Sequence, residues 1–129
     1  MIGHLLRVVR AAIRERSKAK TRSPHWTSLR DTFLKIHPRC AACGSIKRMQ
    51  VHHIEPFHLR PELELERSNL IGLCMDKLEC HLRLGHGDDF RCFNPHIVKH
   101  SAECLSDPGR RQSAEYRARL GRLESDPLA

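Results

Sequence analysis

The sequence predicts a small α+β domain held together by a metal ion, with basic helices at both ends. Three observations lead there. At 129 residues the chain is one domain's worth, and aromatics are only 5% of it, so its core is small and mostly aliphatic and gains from a staple. Six cysteines and ten histidines crowd into that length. Short strand-like runs lie in the middle, while helical periodicity marks both ends. No apolar run approaches the roughly 18 residues of a membrane span. The first residues, MIGHLLRVVR, carry Arg7 and Arg10 inside the apolar stretch, which is unlike a secretory leader. A cytoplasmic chain is expected, whose cysteines bind metal rather than pair.

Each element follows in order. Ile2, Leu5, Leu6, Val9 and Ile13 recur at helical spacing opposite several arginines, so residues 2–18 read as a basic amphipathic helix. Residues 1–22 form this helix and a linker. Residues 24–36 read as a second helix with Trp26, Leu29, Phe33 and Ile36 on one stripe, stopped by His37-Pro38. Cys40-Ala-Ala-Cys43-Gly44 reads as a tight turn, and residues 49–54 and 69–73 as short strands around a loop punctuated by Pro56 and Pro61. In that loop Glu62, Glu64 and Glu66 alternate with Leu63 and Leu65, which reads as an edge with a solvated acidic face. A helix is expected from about Cys80 to Gly85, irregular chain over 90–98, and a final basic helix over 109–124. The expected domain spans 23–104, with 105–129 a basic helical tail.

Charge is uneven. The net charge is +8, and residues 1–39 hold ten Lys/Arg against two acids. A surplus confined to the arms suits a polyanion, most simply nucleic acid. Arg30, Lys35, Arg39, Lys47 and Arg48 are the candidate phosphate contacts.

Cys40 and Cys43, two residues apart in a turn, can reach one tetrahedral ion, and Cys74 and Cys80 can close its shell. Four thiolates point to structural zinc. The 75–79 insert makes the second pair wider than the first, so it enlarges the knuckle or replaces zinc with packing. Cys92 and Cys104 read as ordinary buried cysteines, and His96 and His100 have no partner pattern. His52-His53, Asn69, His81 and His86 form a second constellation. Adjacent strand residues point to opposite faces, so both histidines serve one site only if the strand bends or ends there. Neutral imidazole suits both a transition metal and proton abstraction near neutral pH.

Together, Cys40-Ala-Ala-Cys43-Gly44, Val51-His52-His53-Ile54, Ser68-Asn69-Leu70-Ile71-x-Leu73-Cys74 and Cys80-His81 resemble the HNH endonucleases. The resemblance covers roughly residues 24–98. It implies a ββα-metal core stapled by zinc. It implies His53 as general base, Asn69 as the residue that tethers the loop and orients the base, and His52 and His81 as ligands of a catalytic Mg2+, Mn2+ or Ni2+. His86 stands where some family members carry a third ligand, although five residues separate it from His81. The implied activity is hydrolysis of DNA, double-stranded, to a 5′-phosphate and a 3′-hydroxyl, by a monomer, a homodimer or a part of a larger assembly. The competing reading is a zinc-stapled nucleic-acid-binding module without catalysis. A redox role for Cys40 and Cys43 is weaker, because the pair follows a helix rather than a strand of a βαβ unit.

Overall fold

The computed structural model describes residues 21–125; the helix expected over 2–18 lies outside them. Helix α1 (Trp26–Ile36) buries Phe33 and ends at His37, whose N–H bonds back to the Phe33 carbonyl. The turn that follows is closed by Gly44 N–H to the Cys40 carbonyl and Cys40 N–H to the Ser45 carbonyl, with Gly44 at φ +76°, a conformation glycine adopts without strain. Strands β1 (Met49–His53) and β2 (Leu70–Cys74) pair antiparallel, Met49 opposite Cys74 and His53 opposite Leu70. A two-stranded ribbon is marginal alone. Here Ala41 N–H bonds the Gly72 carbonyl of β2, tying the cysteine turn to the ribbon.

The loop between the strands carries two short 3-10 turns, Pro61–Leu63 and Arg67–Asn69. A five-residue π-helix, His81–Gly85, packs against both strands. It is followed by β3 (Cys92–Phe93), helix α2 (Ile97–Ser106), a 3-10 turn over Pro108–Gln112, helix α3 (Ala114–Leu120) and β4 (Glu124–Ser125), which pairs with β3. The result is a small α+β fold with two antiparallel ribbons. Among the described residues no helix is long and apolar enough to cross a membrane.

Three sequence expectations change here. The stretch expected to be irregular contains β3 and the start of α2. The expected boundary at residue 104 falls inside α2. The C-terminal helix is shorter than expected, and its anchor is not the thin stripe of Ala114, Leu120 and Leu123 but Tyr116, which is buried and accepts a hydrogen bond from Cys104 Sγ at 3.3 Å. The Ser113 hydroxyl caps α3 by accepting from Tyr116 N–H. The core joins Tyr116, Cys104 and Ile97 to Leu73, Leu84 and the cysteines Cys40, Cys74 and Cys80, so the C-terminal segment packs on the same core as the ribbon.

Candidate metal centres and their surroundings

Two clusters of metal-capable side chains are built around the β1–β2 ribbon and the segments packed on it. In the first, one sulfur each from Cys40, Cys43, Cys74 and Cys80 lie within 4.8 Å of one another, and the Cys43 and Cys74 sulfurs are 3.6 Å apart. A zinc–sulfur bond of about 2.3 Å gives a tetrahedron edge of about 3.8 Å. The 75–79 insert leaves Cys80 in this cluster because it is pinned: Met75 N–H bonds the Arg48 carbonyl, and the Ser45 hydroxyl bonds Asp76 Oδ2 at 3.0 Å. A hydrogen bond from Cys80 pulls the Cys40 thiol down to about 4, and the same bond pushes Cys80 up, while burial lifts Cys43 to about 11. Four thiols this close cannot all ionise without a cation between them. Arg111 Nη2 donates to Cys80 Sγ at 3.0 Å and to the Ala42 carbonyl at 3.4 Å, so one guanidinium from the C-terminal segment faces the sulfur set. Cys104 is buried and Cys92 half-buried, both outside the cluster.

The second cluster is His52, His81 and His86, one nitrogen of each lying within 4.8 Å of the others. Their spacing is resolved by the π-helix. In an α-helix, at about 100° per residue, a residue five positions on lies about 140° around the axis. A turn that closes at i+5 stacks the two. His81 and His86 therefore meet, Nε2 to Nε2, at 3.3 Å.

The tautomers follow from the partners. His86 Nδ1 lies 2.7 Å from the Cys92 carbonyl, and His81 Nδ1 lies 2.6 Å from Gln50 Oε1. Both Nδ1 atoms therefore donate, and two unprotonated Nε2 lone pairs face each other, an arrangement that calls for a cation between them. The His52 ring lies edge-on to both, with centroids 5.1 and 4.8 Å away, and its buried Nε2 has no hydrogen-bond partner among the described residues. Gly85 makes this approach feasible: a Cβ there would stand 3.1 Å from His52 Cε1. Burial lowers all three histidines, His52 well below the usual range and His81 to about 4. All three are neutral at pH 7, the form a metal requires.

The unfolded histidines take up protons near pH 6.5 while the native ones do not, so stability is full above that pH and falls as pH drops below it. For buried His52 alone the expected slope is up to about 1.4 kcal/mol per pH unit. Urea midpoints at pH 7.5 and 5.5 measure it. A His52→Gln protein is expected to show the shallower dependence.

His53, the next residue along, points the other way. Its ring stacks on Trp26 of α1 at 4.6 Å, and its Nε2–H donates to the Glu64 carbonyl at 3.0 Å. Nδ1 is left as the unprotonated nitrogen. Burial lowers its pKa, partly opposed by the hydrogen bond to the Glu64 carbonyl, and the nearby Arg22 charge adds to the lowering. The strand ends at His53, and the structure brings His52 but not His53 into the three-histidine cluster. Asn69 sits where strand β2 begins. Its Oδ1 accepts from Glu55 N–H at 2.8 Å, and its Nδ2 donates to the carbonyls of Glu55 and Leu63, so one amide clasps both ends of the loop that leads to Glu64.

Glu64 overturns a sequence expectation. It is not on a solvated edge: it is 4% exposed, accepts from Ser23 N–H at 2.7 Å and pairs with Arg22 at 3.9 Å. Alternation misleads here because the segment is a 3-10 turn rather than a strand. Arg22 also lies over the Trp26 and Phe57 rings. Residues before α1 are thus fastened to the loop that carries the His53 acceptor. Sequence reasoning also missed Gln50 and the Cys92 carbonyl. The first has no signature beyond its place two residues before His52, and the second is backbone.

The candidate phosphate contacts lie outside both clusters. Arg30 pairs with its neighbour Asp31, Arg39 reaches the Gly44 carbonyl, and Lys35, Lys47 and Arg48 are exposed.

Comparison with known proteins adds no relative. No protein-family model matches the chain, and neither a curated protein nor a solved structure matches it.

Proposed function

We propose that the protein is a metal-dependent endonuclease of HNH type that hydrolyses double-stranded DNA, with zinc as its staple. What supports the reading is a three-imidazole cluster that includes His52, with a second histidine of lowered pKa at the next position of the strand, its Nε2 held by the Glu64 carbonyl. A closed structural site needs the first alone; hydrolysis uses both. The pocket is also accessible, since His81 and His86 are only half-buried.

His52, His81 and His86 would hold the ion. Three imidazoles with no carboxylate among them suit Ni2+ or another transition metal better than Mg2+, which prefers oxygen. When bound, such an ion supplies charge neutralisation for a phosphate and its leaving oxygen. The chain's own residues do the rest. His53 Nδ1 takes a proton from the water that attacks phosphorus. The imidazolium so formed is stabilised by its Nε2–H bond to the Glu64 carbonyl. Asn69 and the Glu64 carboxylate keep that carbonyl in place by holding the loop at both ends and against Ser23. Cleavage on this scheme leaves a 5′-phosphate and a 3′-hydroxyl. The basic surplus in residues 1–39 supplies sequence-independent attraction to the duplex. Whether one chain nicks or two chains cut both strands, as a homodimer or inside a larger assembly, follows from the product of a plasmid assay.

That assay is the test. Supercoiled plasmid is incubated with the zinc-loaded protein and Mg2+, Mn2+ or Ni2+ in turn. Relaxed or linear product with at least one metal is expected. Retarded DNA without cleavage under any of them leaves the zinc-stapled binding module as the better account.

Arg111 offers a separate check on the staple. Removing a group that hydrogen-bonds a metal ligand typically costs about 10–100-fold in metal affinity. Arg111→Ala is expected to lose zinc to a chelator about tenfold more readily than wild type, with the histidine pocket unaffected. Competition with a colorimetric chelator reads both.

A further inference from the structure

The π-helix that brings His81 and His86 together is an unfavourable local choice, and short π-turns persist where surrounding groups hold them. The last carbonyls of any helix lack partners within it. Here both are taken by one residue nine or ten positions on. Asn94 N–H donates to the Gly85 carbonyl at 3.0 Å, and Asn94 Nδ2 donates to the Leu84 carbonyl at 3.0 Å. The side chain is itself fixed. Nδ2 also lies 2.9 Å from His100 Nδ1, and Oδ1 accepts from His96 N–H at 3.0 Å. Asn94 is fully buried, at 0% exposure, so every one of these groups would be costly to leave unpaired. Two residues earlier the Cys92 carbonyl accepts from His86 Nδ1. One short segment, residues 92–94, therefore sets both the shape of the π-turn and the tautomer of a histidine on it.

We propose that Asn94 is a positioning residue for the three-histidine pocket: it holds the wide turn open so that two imidazoles five residues apart present lone pairs to one point. The inference rests on the reading of that pocket as a metal site. Without the Asn94 side-chain amide, the Leu84 carbonyl loses its partner and the turn relaxes towards α geometry, which rotates His81 away from His86. Helix α2 matters through the same residue, because His96 and His100 at its start orient the amide.

The probe is Ni2+ alone, titrated into the zinc-loaded full chain and followed by calorimetry, with zinc content and circular dichroism measured on every sample. Wild type is expected to bind one Ni2+, and His81→Ala to bind none. Absence of Ni2+ binding by wild type removes the metal reading and this inference with it. Asn94→Asp keeps the shape and the Oδ1 acceptor but loses the Nδ2 donors, and it is expected to bind Ni2+ about 10–100-fold more weakly while retaining zinc. An Asn94→Asp protein that keeps its zinc and binds Ni2+ as tightly as wild type overturns the assignment and leaves the metal reading standing. If that variant does not fold, wild type decides. Binding and positioning are reciprocal, so a second equivalent of Zn2+, which is diamagnetic, is expected to slow solvent exchange of the Asn94 side-chain amide protons. Unchanged exchange on saturation equally overturns it.

Discussion

His53→Ala is expected to lower plasmid cleavage by about 10²–10⁴-fold, the usual contribution of a general base, while Ni2+ affinity and zinc content stay at wild-type values. The separation follows from the strand. Adjacent residues face opposite ways, and His52 alone of the pair joins His81 and His86, whereas His53 stacks on Trp26 and hangs from the Glu64 carbonyl. His52→Ala is expected to lose cleavage and Ni2+ together. Cleavage by the wild type is also expected to hold near pH 7 and to fall in acid, because a base with a lowered pKa stays neutral at neutral pH and is protonated only as the pH drops. Single-turnover rates beside calorimetric titrations separate the cases. A His53→Ala protein that cuts at the wild-type rate removes the base assignment. One that loses Ni2+ shows the ring to be a ligand.

What the sequence made legible was chemistry carried by rare residue types. Four cysteines and three histidines in a short chain have few ways to be arranged, and their convergence is visible in the fold. What it hid was support supplied through the backbone or across distance. Glu64 acts through its carbonyl as much as its carboxylate, and its burial depends on Ser23, 41 residues away. Gln50 orients His81 from strand β1, 31 residues earlier in the chain. The five-residue gap between His81 and His86 looked like an obstacle because periodicity arguments assume an α-helix. The π-turn removes the obstacle, and the residue to which we assign its shape, Asn94, is marked in the sequence only as half of an Asn94-Pro95 turn signal. Helix α2 and the Tyr116 anchor were missed for a related reason: a thin apolar stripe reads as a loose helix unless the one large buried side chain is known.

Cys74→Ser is expected to be the most damaging single change in the chain, and Cys104→Ser, at an equally buried position, a mild one. If the cysteines were simply small hydrophobic residues, the two substitutions would cost alike, on the order of 1–3 kcal/mol each. The geometry separates them. Cys74 lies at the end of β2 with its sulfur 3.6 Å from that of Cys43, while Cys104 faces the Tyr116 hydroxyl, a contact serine can keep. Structural zinc in small domains is worth about 10–16 kcal/mol, as much as the whole stability of an ordinary domain, about 5–15 kcal/mol. With so few aromatics and a core that includes three of the four cluster cysteines, little remains to hold the fold once the ion is gone. Cys74→Ser is therefore expected to lack zinc and to show no cooperative thermal transition. Wild type treated with a strong chelator should match it, and Cys104→Ser should melt cooperatively with one zinc bound. Elemental analysis beside melting curves reads all three. Equal melting of the two serine variants would return Cys40, Cys43, Cys74 and Cys80 to the role of packing residues, and the ribbon would need another source of stability.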